Sequence, residues 1–359
     1  MSAFLVLLLL LYFLPARVRP TGSNIDYLSK EGMAPVKGFF VLLVFATHFV
    51  QYVKLGGPWH SAYLSIRGWM AQLVVVPFLF YSGYGVMTSI LNRGWGYVDS
   101  LPSKRVLKVL FMFDVAVLLF IAVQYHLGHF YTLKKVAWTF LAWESIGNSN
   151  WYILAMLVLY LLTYCSFKAT EHLESTKARH GVSLGILSLL TLLFAAILSK
   201  YRPGYYYNTV FCYVLGMVFV FVRPALERFL LASRQAYLAT FVALALSLWI
   251  LGGLRSNPVG YQTWAMAFAL TVVLFTMKCS SRSPILAYCG RHLFSLYILQ
   301  RLPMILLQKT DFAKAHKYGY FLVCLAATFV LAAAFDFVVP RIWAFLPRLF
   351  RKLPFGANG

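Results

Sequence analysis

An all-α, polytopic membrane protein is the fold class this sequence predicts: about ten core transmembrane helices behind a short N-terminal apolar segment. Three observations carry that expectation. Of the 359 residues, 61% are hydrophobic and only 12% charged, about half the charged share of an ordinary soluble domain. The apolar residues gather in runs such as Val41–Val53, Leu73–Leu91, Val106–Val123, Trp151–Tyr164 and Tyr318–Val339. These suit a hydrocarbon core that takes roughly 20 helical residues to cross. The runs also lack the alternation of a membrane barrel, and helices satisfy every backbone group within their own segment.

The elements follow in order. Ala3–Leu14 is apolar but short, and it lacks the basic start of a signal peptide; it reads as a retained short or tilted segment. The core spans are then 36–54, 69–92, 105–127, 149–168, 182–199, 205–223, 234–254, 262–278, 286–308 and 318–346. The mixed, aromatic stretch His129–Trp143 reads as interfacial, where Trp and Tyr concentrate. No linker is long enough for a separate soluble domain, and no internal repeat is visible.

A net charge of +22 would point to nucleic acid on a soluble protein. Here the basic residues sit mainly in loops between apolar runs, as orientation signals do. No basic helix or zinc signature supports a nucleic-acid module. One set of alternating loops carries roughly twice the Lys and Arg of the other. That set includes the linker before Lys37, the Asn92–Lys108 loop and the C-terminus, which are therefore expected to be cytoplasmic. The five cysteines, Cys165, Cys212, Cys279, Cys289 and Cys324, lie in or beside apolar runs without a CxxC, so neither a disulfide framework nor a zinc site is expected. His126 and His129 lack a third ligand nearby, and no metal is expected there. Walker, GxSxG, HExxH and dinucleotide signatures are all missing from the sequence.

Ionisable groups within apolar runs are functional candidates, because charge in hydrocarbon is costly. Five stand out: His48, Asp114, Arg291, Arg301 and Asp336. Lys37 and His48 are eleven residues apart, which on a helix is about 20° in azimuth and roughly 16 Å along the axis. One face would then carry a basic mouth at Lys37 and an imidazole near half depth. This suits a thioester whose anionic head stays at the mouth while its arm reaches the imidazole, which can accept a hydroxyl proton near neutral pH. A structural histidine bonded to a neighbouring helix fits the same spacing.

Arg105 and Lys108, in Lys104-Arg105-Val106-Leu107-Lys108, share a face if helical. They could hold phosphates or simply anchor the span. Ser82 and Gly83 lie in a span, where small residues chiefly serve close packing and a hydroxyl at a site is the rarer use. Asn150-Trp151-Tyr152 at a span entry reads mainly as an interfacial anchor. Asp114 follows Arg105 by nine residues, about half a helical turn in azimuth, so it faces away from Arg105 and would have to orient His48 from elsewhere. Asp336 is expected to pair with Arg291 or Arg301.

Taken together, these residues resemble the acyltransferase-3 family of bacterial membrane O-acyltransferases. That family's first core span reads Arg or Lys, ten residues, then His; here it is Lys37 to His48. Its Phe-Phe-x-x-Ser-Gly-aromatic pattern is matched by Phe78-Leu79-Phe80-Tyr81-Ser82-Gly83-Tyr84, and its Arg-x-x-Arg pair by Arg105 and Lys108. Asn150-Trp151-Tyr152-Ile153-Leu154 resembles a central span opening, and Gly290 to Ile298 resembles a late Gly-x-x-Ser-hydrophobic-Tyr-Leu stretch. Lys stands at two positions where Arg is frequent, and Gln300 where the family often has His.

The resemblance, from about Asp26 to the last span, implies a ten-helix enzyme in the cell (cytoplasmic) membrane. It implies acyl-CoA, with acetyl-CoA first, as co-substrate and no tightly bound cofactor. Its acceptor would be a hydroxyl of a cell-surface glycan or lipid-linked glycan, with membrane lipid around it and no nucleic acid. By the same resemblance His48 would be the general base or acyl-transfer residue, and Lys37, Arg105 and Lys108 would hold the acyl-CoA. Ser82, Asp114, Asn150 and Trp151 are supporting candidates. The expected organisation is an apolar segment and linker over 1–25, an acyltransferase-like membrane domain over 26–348 and a cytoplasmic tail over 349–359. A transporter or flippase for an anionic or glycolipid substrate, with Asp114, Arg291 and Asp336 lining its path, is the alternative.

Overall fold

A computed structural model describes residues 1–24 and 27–350, and the side chains as far as residue 345. Most of the tail expected over 349–359 lies outside the described residues. The chain is almost wholly helical. In order come α1 (Ser2–Phe13), strand β1 (Ala16–Val18), α2 (Lys30–Phe49), α3 (Pro58–Met70), α4 (Val76–Arg93), α5 (Trp95–Asp99) and α6 (Lys108–His126). Then follow α7 (Leu133–Phe140), α8 (Trp151–Ala169), α9 (Thr176–Tyr201), α10 (Phe211–Ala232), α11 (Arg234–Gly252) and α12 (Pro258–Lys278). Strand β2 (Cys279–Ser281), α13 (Pro284–Arg291), α14 (Leu293–Leu299), α15 (Arg301–Leu307), α16 (Asp311–Ala315) and α17 (Lys317–Phe350) complete it.

Among the described residues, nine helices are long and apolar enough to cross a membrane. They account for nine of the ten core spans read from the sequence. The tenth, 286–308, is broken into α13, α14 and α15, whose apolar part Leu293–Leu307 is shorter. The segment before α4 adds something the sequence reading omitted. α3 and a 3₁₀ turn at Ala71–Val75 join α4 in one helical run from Pro58. The joint is at Ala71, whose φ of 41° is unusual for a residue with a Cβ.

Helix starts follow ordinary capping chemistry. Ser233 accepts from the Ala236 amide at 2.9 Å, and Asn257 from the Gly260 amide at 2.7 Å with Pro258 at the first helical position. The ribbon β1–β2, antiparallel with Ala16 opposite Ser281, was not foreseen; three residues per strand give too little pattern to read.

The described chain forms two compact units. The first comprises Met1–Val44, Leu55–Pro102 and Val158–Arg291; the second comprises Phe45–Lys54, Ser103–Leu157 and the chain from His292 onward. In the first, α4 packs chiefly on α10. A Cβ on Gly83 would strike the Tyr213 carbonyl oxygen, and one on Gly216 would strike that of Phe80. Each helix therefore presents a glycine to the other's backbone, the small-residue contact that brings membrane helices close. In the second unit, α14 and α15 pack against α6 and α17. There the end of α2 is seated on α17 through Phe45 and Phe49, whose rings lie 5.4 Å and 5.0 Å from that of Phe321.

Candidate active site

His48 occupies the last turn of α2, in the second unit. Its ring centroid lies 6.4 Å from that of Tyr297 on α14. The buried Tyr297 ring in turn meets Tyr152 at 5.3 Å, and Tyr152 meets Trp151 at 6.0 Å. The imidazole thus ends an aromatic row supplied by α2, α14 and the start of α8. Asn150 caps the approach to α8, buried, with its amide nitrogen donating to the Ala142 carbonyl at 2.9 Å. The structure therefore gathers His48, Asn150 and Trp151 in one unit and adds Tyr152 and Tyr297. Both tyrosines stood in the sequence motifs, but nothing in the spacing showed that they would meet the imidazole.

Lys37 lies on the same helix, in the first unit, its ammonium 5.7 Å from the centre of the Tyr81 ring. The next residue, Gly38, packs directly against the Leu286 carbonyl of α13, where a Cβ would collide. Ser82 Oγ and Tyr160 Oη are hydrogen-bonded at 2.9 Å, so Ser82 is tied into helix packing, as a small polar residue in a span usually is.

Arg105 and Lys108 are wound differently from the ideal helix assumed for them. Pro102–Leu107 is π-helical, and α6 begins at Lys108. A π turn closes its hydrogen bonds at i+5, so each residue advances less in azimuth than in an α-helix. Three residues then bring the chain less far round, and the face-sharing expected of an ideal helix does not carry over to this pair. Both side chains are partly exposed. Asp114, further along α6, makes no hydrogen bond or ion pair among the described residues, and one of its carboxylate oxygens is buried without a partner. It does not orient His48 by direct contact.

Two polar clusters escaped the sequence reading. In the first unit, Arg223 donates to Glu227 at 2.8 Å and to Tyr84 Oη at 2.7 Å; Tyr27 Oη donates to Glu227 at 2.9 Å. Arg223 and Glu227 are an i, i+4 pair on α10, a spacing visible in the sequence. In the second unit, Asp336 on α17 accepts from His292 Nδ1 and, at 2.8 Å, from Ser295 Oγ. This corrects the expectation that Asp336 pairs with Arg291 or Arg301. The imidazole and hydroxyl come from the first turn of the neighbouring α14 and satisfy the carboxylate there. Arg301 instead donates through Nε to Tyr52 Oη at 2.9 Å and through Nη2 to Gln51 Oε1 at 3.0 Å.

No curated protein and no solved structure gives a match to this chain. A family model described as an acyltransferase domain matches residues 35–337. That stretch runs from just before Lys37 to just after Asp336. The chain belongs to the acyltransferase-3 family of membrane acyltransferases.

Proposed function

We propose that this protein moves an acyl group, acetyl in the first place, from acyl-CoA to a hydroxyl of a glycan or glycolipid, with His48 as general base. The observation that carries the reading is α2, one helix bearing both Lys37 and His48, with the imidazole held against Tyr297 in a wall of aromatic rings. Along an α-helix the two residues are separated by roughly 16 Å, room for a thioester arm between an anionic head and the reacting carbonyl. The acceptor oxygen attacks the thioester carbonyl while the imidazole takes its proton. The C–S bond then breaks, and the thiolate leaves with a proton returned from the imidazolium. Products are the ester and the CoA thiol. General-base assistance of this kind contributes typically 10²–10⁴-fold.

Lys37, Arg105 and Lys108 supply positive charge for the CoA phosphates. The π turn before Lys108 supports a ligand role for that segment, since such turns recur where function departs from plain packing. The charge distribution of the loops supports a cytoplasmic membrane location with the donor taken from the cytoplasmic side. The transport reading loses one of its supports, because Asp336 is taken up by His292 and Ser295.

Binding of acetyl-CoA to purified protein tests the donor assignment. Wild-type protein is expected to bind it, and Lys37→Ala and Arg105→Ala each to weaken it by about tenfold, the value of one charge-assisted contact. Undetectable binding to wild type, or equal binding by both variants, sinks the assignment.

A further inference from the structure

Beyond His48, the chain of the second unit turns back, and the turn is held by a cation. Gln51 and Tyr52 follow His48 by three and four residues, and their amides close the turn onto the His48 and Phe49 carbonyls at 2.9 Å each. Arg301 grips this turn from α15, with Nε on Tyr52 Oη, Nη2 on Gln51 Oε1 and the guanidinium 5.6 Å from the Tyr52 ring centre. Arg301 opens α15, four residues beyond Tyr297 and across the break at Gln300. The same two segments thus meet twice, His48 with Tyr297 and, four residues further along each, Tyr52 with Arg301.

Both anchors of Arg301 are neutral. Among the described residues it makes no ion pair. A guanidinium has five N–H donors; two are committed on its Nε–Nη2 edge, and the Nη1–Nη2 end keeps the paired donors that match a carboxylate or phosphate. Two lysines meet at the end of the same turn. Lys317 Nζ donates to the Lys54 carbonyl at 3.0 Å, two residues past Tyr52, and both lysine side chains are exposed. The nearby acid in the sequence, Asp311, is engaged by Lys314 at 3.1 Å. Arg301 is thus a partly buried arginine fixed by two neutral groups over a tyrosine ring, on a turn that ends at two exposed lysines, with no acid paired to it among the described residues.

We infer that Arg301, held by Gln51 and Tyr52 on the turn that continues to Lys54 and Lys317, is the binding site for an acidic group of the acceptor, so that the acceptor is a carboxylate- or phosphate-bearing glycan. This deepens the acyltransferase reading and rests on it for the word acceptor. The Tyr52 ring offers the sugar an apolar face, the guanidinium end takes the acid in a fork, and His48, four residues before Tyr52, meets the hydroxyl to be acylated. The acid then belongs to the modified sugar residue or to its immediate neighbour.

The test is equilibrium binding in phosphatidylcholine nanodiscs with two probes: a galacturonic acid trisaccharide and the same trisaccharide with its carboxyls reduced to alcohols. The acidic probe is expected to bind at least about tenfold more tightly than the neutral one. Arg301→Ala removes that preference, Arg301→Lys keeps part of it, and the double replacement Lys54→Ala with Lys317→Ala, on exposed side chains, lowers acidic binding without touching the turn. Equal binding of the two probes overturns the inference, as does unchanged acidic binding by both Arg301→Ala and the lysine double variant. Loss of acidic-probe binding when a tenth of the lipid is phosphatidylglycerol also overturns it, since bulk lipid headgroups then fill the site. Acetyl-CoA binding is measured on the same discs. Acidic-probe binding without acetyl-CoA binding leaves this site standing and sinks the acyltransferase reading. Acetyl-CoA binding with no preference between the trisaccharides does the reverse.

Discussion

Arg223 in the first compact unit and Arg301 in the second are built alike and finished differently. Each guanidinium lies against a tyrosine ring, at 5.1 Å for Arg223 over Tyr27 and 5.6 Å for Arg301 over Tyr52. Each donates to a tyrosine hydroxyl, that of Tyr84 at 2.7 Å and that of Tyr52 at 2.9 Å. Arg223 has in addition the carboxylate of Glu227, itself held by Tyr27. Arg301 has the neutral amide oxygen of Gln51. A cation with its own carboxylate completes a structural network. A cation fixed in place without one is preorganised for an anion from outside, because the cost of ordering the side chain is already met within the fold.

The first unit should therefore be sensitive in stability and the second in binding. The largest stability effect is expected at the α4–α10 crossing. Gly83→Leu would drive a branched side chain into the Tyr213 backbone, and overpacking of this kind costs about 1–3 kcal/mol or more. Loss of the folded fraction on size-exclusion chromatography in detergent is the expected reading. Glu227→Ala comes next. It leaves Arg223 unneutralised where both side chains are about one-quarter exposed, 28% and 25%, for a loss of about 2 kcal/mol after allowance for that exposure. Glu227→Gln keeps an acceptor for both donors and should recover much of the melting temperature. Tyr84→Phe removes one hydrogen bond to Arg223 and should cost about 1 kcal/mol. Arg301→Ala, by contrast, removes bonds to two neutral partners and leaves no charge unpaired, so its melting loss should stay below that of Glu227→Ala while preference for an acidic acceptor is abolished. A melting loss at Arg301 as large as that at Glu227 would erase the distinction between the two arginines.

Much of this architecture is written in the amino-acid sequence. The spans were legible because hydrocarbon-length apolar runs are written continuously. That Lys37 and His48 belong to one helix was legible because no break signal separates them. The Arg223–Glu227 pair was there to be read at i, i+4. What could not be read depends on partners far apart in sequence. Tyr52 meets Arg301 across 249 positions, and His292 meets Asp336 across 44. Apolar periodicity sets which face of a helix is buried, but not which helix covers it. The breaks between α13, α14 and α15 were hidden for another reason: they fall at Arg291–His292 and at Gln300, polar positions that the apolar residues around them absorb into one span. The π winding at Pro102–Leu107 was equally invisible, since composition marks a helix without fixing its pitch.

The central claim is that His48 performs acyl transfer, and its most direct test is acetylation of surface glycans in cells making the His48→Ala protein. The account predicts loss of at least about 10²-fold, with protein level and melting temperature close to wild type and Arg223 and its partners undisturbed. Full acetylation by His48→Ala at normal protein level would contradict it.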